Sequence, residues 1–247
     1  MLTITEIAML TFCVTGGGRT PVSIRHVWFA TAPRQRDALL PTIYFHTRDP
    51  GLKPGFQRRS RWTSIVRIDR EEADLLAGFS RNTRYKIQRA AREEPQLCVR
   101  HCDPSRPGTE ARQGSLPLRY EDNLVTRSAL LDGGEEISHQ YIVDHQLQRV
   151  HLYTSQSRYQ EIEDRGLRDR IGRANRWLHF NDMLHFRDKG FKYYDFGGYA
   201  RAQTGTKLGN IDNLKQGFRG ELIEENIFIS WSIIAYNRLI YARPTTA

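Results

Sequence analysis

Apolar and polar residues change period along this chain in a way that marks out its elements. Residues 63–68 alternate with the period of two expected of a strand. Asp69, Glu71 and Glu72 then supply the acidic start that favours a helix N-terminus. Leu75, Leu76, Phe79, Ile87, Ala90 and Ala91 continue a helical pattern to about Glu94, where Pro95 stops it. Residues 97–101 are the next expected strand, and 103–117, rich in Pro, Gly and Ser, a loop. Three strand-like runs follow, at 124–131, 136–143 and 148–154. Asp132-Gly133-Gly134 separates the first two and Asp144-His145 the second and third, so together they predict an antiparallel meander. A polar segment, 155–170, leads to a long helix over 171–189, with Gly190 placed to end it. Beyond it the pattern gives a strand at 191–196, a Gly197-Gly198 turn, a short helix near 211–218, a strand at Glu221–Ser230 and an apolar helix from Trp231 to about Tyr241.

The first 62 residues are less regular. Residues 23–30 and 43–46 read as strands, and Pro50, Gly51, Pro54 and Gly55 make 48–61 a loop. Gly16-Gly17-Gly18 before Arg19 lacks the later glycine, lysine and helix of a phosphate-binding loop and is expected to be a turn. The expected organisation is an N-terminal extension, 1–62, packed on a main domain, 63–247. The order strand–helix–strand, meander, long helix, strand, helix, strand predicts a mixed α/β fold with one central mixed sheet flanked by helices on both faces.

Composition narrows the function. Hydrophobic residues make up 39% and charged residues 26% of the 247, as in soluble globular proteins. No apolar run approaches the roughly 18–20 residues that cross a bilayer. The opening stretch contains Glu6 and lacks the basic start of a signal peptide, so a cytoplasmic protein is expected. The 37 Lys and Arg outnumber the 28 Asp and Glu, for a net charge of +9. That excess favours an anionic partner: nucleic acid, a phosphorylated metabolite, coenzyme A or an anionic membrane face. Three cysteines, Cys13, Cys98 and Cys102, do not make a disulfide framework. Cys98-x-x-His101-Cys102 lies in an expected strand with no second ligand pair, and no metal is expected. There is no Gly-x-Ser-x-Gly elbow, His-Glu-x-x-His or dinucleotide fingerprint, so direct attack by an acceptor fits better than a covalent enzyme intermediate.

Two stretches carry a family resemblance. The first joins Ile171-Gly172-Arg173-Ala174-Asn175-Arg176-Trp177-Leu178-His179-Phe180 to Gly190-Phe191-Lys192-Tyr193-Tyr194-Asp195-Phe196-Gly197-Gly198. The second is Gly209-Asn210-Ile211-Asp212-Asn213-Leu214-Lys215-Gln216-Gly217-Phe218-Arg219-Gly220. They resemble the Fem-like peptidyltransferase branch of the GNAT acyltransferase superfold, in which a long helix precedes a strand ending Tyr-Asp-Phe-Gly-Gly and a Gly-Ile-x-x-Phe-Lys-x-x-Phe-Gly-Gly element follows. Arg81-Asn82-Thr83-Arg84-Tyr85-Lys86-Ile87-Gln88-Arg89-Ala90 is similar to the basic first-helix segment of the same group. Leu214 and Arg219 depart from the pattern, and the chain is shorter than the two-domain peptidyltransferases and lacks their coiled-coil arm.

The resemblance implies a donor site at the start of the long helix, where free backbone N–H groups and the helix dipole favour a pyrophosphate. Arg168, Arg170, Gly172, Arg173 and Ala174 are the residues expected to hold acyl-CoA there, with Asp169 standing where the family has Arg or Gln. Asn175, His179 and Asp182 form a polar stripe that faces water, a ligand or a buried network. His179, with a near-neutral ordinary pKa, and Asp195, expected at a strand end beside Gly197 and Gly198, are the candidate proton acceptors, in one pocket with Lys215. Lys215 matches the family lysine that balances developing negative charge. Arg81 and Arg84 are candidate contacts to a phosphorylated acceptor, as are Asn175, Asp182, Gly197 and Gly198 to the acceptor generally. The expected function is N-acyl transfer from acyl-CoA to the amine of a small, phosphorylated or nucleotide-linked cell-envelope precursor, an amino sugar or amino acid. The alternatives are aminoacyl-tRNA-dependent peptidyl transfer and non-catalytic nucleic-acid binding.

Overall fold

The computed structural model describes residues 10–15, 23–93, 98–102, 123–131, 134, 136–203 and 205–241. In chain order the strands are β1 (Leu10–Thr15), β2 (Ser23–Trp28), β3 (Thr42–Thr47) and β4 (Phe56–Arg67). Two helices, α1 (Glu72–Gly78) and α2 (Arg81–Glu93), precede β5 (Cys98–Cys102), β6 (Leu124–Leu130), β7 (Glu136–Asp144) and β8 (Arg149–Gln156). Then come α3 (Arg165–Asp188), β9 (Tyr193–Tyr199), α4 (Lys207–Gln216), β10 (Glu221–Ser230) and α5 (Trp231–Tyr241). The architecture is mixed α/β, a mixed sheet flanked by helices, as the pattern predicts.

The chain divides into two compact units, Met1–Trp62 with Glu224–Ala247, and Thr63–Ile223. Residues 224–247 therefore group with the N-terminal segment, whereas the pattern had placed them with the main domain. The reason is pairing: the second half of β10 lies against β3, with Phe228 opposite Tyr44 and Ile229 opposite Ile43. In this first unit β1 and β2 are antiparallel, β2 and β3 parallel, and β3 and β10 antiparallel with a bulge between Asn226 and Phe228. Val27, Ala30, Ala38, Tyr44, Phe56 and Phe228 form its core. Asp37 is buried there, bonded by the Tyr44 hydroxyl and paired with Arg25.

The second unit carries the strand order β4-β9-β8-β7-β6-β5. β5 to β8 form the expected antiparallel meander, and β8 and β9 are parallel. Its main core joins Val66 of β4, Ile68 just after it, Tyr141 and Val143 of β7, Val150 and Leu152 of β8, Phe180, Met183 and Phe186 of α3, and Tyr194 and Phe196 of β9. Alternation along each strand turns these residues toward α3 and their sequence neighbours to the opposite face.

Several boundaries differ from the pattern. β4 starts at Phe56, so much of the expected loop at 48–61 is strand; exposed Gln57, Arg58, Arg59, Ser60 and Arg61 hid it from a hydrophobic count. The single helix expected to about Glu94 is two helices. Phe79 is extended, and its ring is buried edge-on against Phe180 and Phe218. Ser80 then starts α2, its Oγ accepting from the Thr83 N–H at 3.2 Å while its own N–H donates to the Gly217 carbonyl at 2.9 Å. The long helix begins at Arg165, six residues before the expected start, because Asp164 caps it: the Asp164 carboxylate accepts from the Leu167 N–H at 2.5 Å. Gly190, with φ +87°, ends it as expected. The expected glycine turn at 16–18, the loop at 103–117 and residues 132–133 lie outside the described residues.

Candidate active site

Two buried polar clusters lie on opposite faces of β9. Asp195 anchors the first. It is fully buried, and its Oδ1 accepts from the Thr63 hydroxyl and, at 2.8 Å, from the Gly197 N–H. Its Oδ2 accepts from Arg149 Nε at 3.1 Å and Nη2 at 2.5 Å, and lies 2.6 Å from His151 Nδ1. The strands dictate this assembly. β8 and β9 run parallel with Arg149 opposite Tyr193 and His151 opposite Asp195, so period-two alternation brings Arg149, His151 and Asp195 to one face. His151–Asp195 is the last paired position of that ladder, the carboxyl side of a parallel pair, where sites gather in α/β proteins.

Asp195 is thus inside β9, not at its end, and Gly197-Gly198 is part of the strand, not a turn. Gly197 is needed there: its φ is +72°, and a Cβ would lie 2.9 Å from the Leu152 carbonyl oxygen and 3.3 Å from His151 Cε1. Lys215, on α4, donates to the Gly198 carbonyl at 2.5 Å and lies 3.4 Å from that of Gly197. It is buried, and desolvation lowers its pKa below the usual lysine value against the opposing pull of Asp195 and Asp212. Asp212 accepts from the Ala200 and Ala202 N–H groups at 3.0 Å each, tying α4 to the segment after β9.

The second cluster faces α3. Asp182, fully buried, is bonded by Arg127 of β6, by the Tyr141 hydroxyl at 2.5 Å and by His139 Nδ1 at 2.8 Å. His139 Nε2 lies 2.8 Å from Asn175 Oδ1. Tyr141 and Tyr194 share a hydrogen bond of 2.7 Å, and His179 Nδ1 meets the Tyr194 hydroxyl at 2.8 Å. The rings of His139 and His179 stack at 4.2 Å. Burial holds the His179 pKa well below its ordinary value, helped by His139, Lys215 and Arg176, so the ring is neutral near pH 7. Burial also raises Tyr141 and Tyr194 well above the usual tyrosine value, with Asp182 adding to it.

The expected stripe Asn175, His179 and Asp182 therefore lies along the helix side of this network, with His179 and Asp182 buried and Asn175 partly exposed. His179 and Asp195 do not share a pocket. His179 bonds Tyr194 and packs on Phe196, and Asp195, between them in an extended strand, points the other way.

The expected donor residues also sit differently. Gly172, Arg173 and Ala174 lie in the second and third turns of α3, past the N–H groups a helix leaves unpaired. Ala174 is wholly buried against Ile171 and Leu178. Gly172 is covered by the Tyr159 ring and the Arg176 guanidinium, 3.6 and 3.7 Å from where a Cβ would be. Arg168 stands over the Tyr159 ring at 5.3 Å. Arg170 is partly buried on the same helix, and Arg173 donates to Glu93 at 2.9 Å. On α2, Arg81 is exposed and Arg84 donates to the Ala77 and Phe79 carbonyls at 2.6 and 3.1 Å, closing the end of α1.

No protein-family model matches the chain, and no curated protein matches its sequence. Solved structures do match its shape. FemX aligns over 93% of this chain and 90% of its own at 12% identity, with a TM-score of 0.56. The C-terminal domain of a protein described as a lysylphosphatidylglycerol synthetase, from Agrobacterium fabrum, aligns over 95% and 83% at 12% identity, with a TM-score of 0.53. L-PGS from Bacillus licheniformis aligns over 95% and 90% at 11% identity, with a TM-score of 0.51. The fold is Fem/GNAT-like.

Within that fold the residues that organise the Asp195 cluster are Thr63, Arg149 and His151, and none was singled out from sequence. Arg149-x-His151 did carry a signal: two polar residues at period two on an otherwise apolar strand must share a face. Arg127 and His139 carried another, since a hairpin centred on the Asp132-Gly133-Gly134 triplet would pair them directly, as β6 and β7 do. Among the described residues no helix is long and apolar enough to cross a membrane.

Proposed function

We propose that the chain is an aminoacyltransferase that moves an amino acid from the ester of an aminoacyl-tRNA to an amine on a small cell-envelope precursor. The observation that carries this is the Asp195–Arg149–His151 cluster at the carboxyl side of the parallel β8–β9 pair, in a Fem/GNAT-like fold. A solved neighbour described as a lysylphosphatidylglycerol synthetase, a name that describes attachment of an amino acid, supports aminoacyl transfer.

Asp195 holds His151 through Nδ1, as in an Asp–His pair, and the His151 ring is assigned the proton transfer. The acceptor nitrogen attacks the ester carbonyl carbon. A C–N bond forms, the C–O bond to the ribose breaks, and the proton lost by the attacking nitrogen passes through the His151 ring to the leaving ribose oxygen. Arg149 pairs with the same Asp195 oxygen and holds the carboxylate in place beside His151. Lys215 acts indirectly, fixing the Gly197–Gly198 backbone beside His151.

Acyl-CoA, the donor expected from Gly172 and Ala174, has less support. A carboxylate, Asp164, already occupies the capping position at the start of α3, where a pyrophosphate would need N–H groups. The test supplies both donors. tRNA charged with radiolabelled amino acids and incubated with amine-bearing envelope precursors should pass label into an alkali-stable, RNA-free product. Thiol release from acyl-CoA under the same conditions, with no label transferred, would assign the other donor.

A further inference from the structure

α2 and α3 pack side by side in the second unit, and a group of cations gathers along their shared edge away from the Asp195 cluster. Lys86 and Arg176 are partly buried there. Arg176 Nη1 donates to the Gly172 carbonyl at 2.7 Å, which fixes its guanidinium against the helix. Glu93 is shared by Arg89 at 2.6 Å and Arg173 at 2.9 Å, so it is already balanced. Asp169 lies within electrostatic reach of Lys86 but makes no ion pair with it. Among the described residues neither Lys86 nor Arg176 has a carboxylate within ion-pair distance.

Two cations partly withdrawn from water, close enough to repel each other and with no carboxylate in direct contact, are an unfavourable arrangement that a bound anion relieves. Burial and mutual repulsion lower the Lys86 pKa, and burial lowers that of Arg176, which states the same cost from the protein side. Aromatic surface lies nearby: Tyr159, 39% exposed, sits with Arg176 over Gly172 and under Arg168, and Tyr85, 50% exposed, precedes Lys86 on α2. Partly buried cations near exposed aromatic surface suit a nucleic-acid strand, whose phosphates take the charge and whose bases or sugars can lie on aromatic rings.

We propose that Lys86 and Arg176, with Arg173 beside them, form a phosphate site that holds the backbone of the donor RNA, a proposal that rests on the aminoacyl-tRNA reading of the function. Arg176 is the fixed ligand, held by Gly172, and Lys86 closes over the phosphate from α2. Arg173 is steered by Glu93 and adds charge without direct contact.

The experiment is fluorescence anisotropy with a labelled RNA hairpin copying a tRNA acceptor stem, over a salt series. Lys86→Met and Arg176→Met should each weaken binding about tenfold at low salt. Each should also reduce the slope of log affinity against log salt by about one. Lys86→Arg should restore most of the affinity. Arg67→Met, at an exposed cation paired with Asp69, should change neither quantity. Circular dichroism identifies a variant that has not folded, and Lys86, on a helix surface, keeps the test decisive if Arg176→Met fails. Hairpin binding and salt slope unchanged in Lys86→Met would overturn the proposal. So would pyrophosphate binding that is lost in the variants while hairpin binding is kept, since the site would then take a small phosphorylated molecule. Unchanged hairpin binding beside intact aminoacyl transfer removes the site alone; absence of transfer in the wild type removes the function.

Discussion

Replacing Asp195 by Asn tests how the site is held together. The two carboxylate oxygens receive four partners: Thr63 and the Gly197 N–H on one, Arg149 and His151 on the other. An amide keeps the shape but turns one oxygen into a donor. If the NH₂ faces Arg149 and His151, it opposes their donors; if it faces Thr63 and Gly197, it opposes theirs. Either way the negative charge beside Arg149, itself buried, is lost. Breaking a buried ion pair from one side costs about 3–5 kcal/mol. Removing one hydroxyl donor from the same carboxylate, as in Thr63→Val, costs less, about 1.5 kcal/mol at the low end for a bond to a charged group. Hydrogen exchange read by mass spectrometry isolates the second unit. Peptides of β8 and β9 should lose protection by roughly a hundredfold to several thousandfold in Asp195→Asn, at about tenfold per 1.4 kcal/mol. In Thr63→Val the loss should be about tenfold. Equal, small losses in the two variants would refute the view that the Arg149–Asp195 pair organises the site.

Gly197→Ala should destabilise the second unit by at least about 1–2 kcal/mol, since φ is +72° and the new Cβ meets the Leu152 carbonyl; a melting-temperature shift under about 2 °C would contradict this. His179 should show no titration in its ¹H–¹⁵N ring signals between pH 5 and 8, because burial keeps it neutral, and a midpoint near 6.5 would place it in solvent. His26, whose pKa burial lowers to about 4, binds a proton in the unfolded chain before the folded one does. Stability should therefore fall as pH drops from 6.5 to 4, by at most about 1.4 kcal/mol per pH unit, and His26→Gln should flatten that slope in urea titrations.

Local signals predicted the elements of the second unit well where one face of the chain is apolar. The meander, Gly190 at the end of α3 and β10 all follow from period and punctuation. The start of α3 did not, because 165–170 is almost wholly polar; the information lay in Asp164 as a cap three residues before Leu167. β4 was foreshortened for the same reason, its first half being exposed and polar. The grouping of 224–247 with 1–62 depends on pairing across more than 180 residues, which no local pattern contains. At the site, Asp195 and Lys215 were visible through resemblance, but the faces they share were not. His179 and Asp195 look alike as ionisable residues near glycines; only the alternation of Tyr194, Asp195 and Phe196 against α3 separates a core histidine from the carboxylate that holds His151.

The central claim is that amino acid transfer runs through the His151–Asp195 pair. Single-turnover transfer from aminoacyl-tRNA to a competent amine acceptor, measured against pH for the wild type and His151→Gln, tests it most directly. The account predicts transfer by the wild type and a loss of about a hundredfold to ten-thousandfold in His151→Gln near neutral pH, shrinking as pH rises and the amine deprotonates unaided. Wild-type rates in His151→Gln at every pH would contradict it.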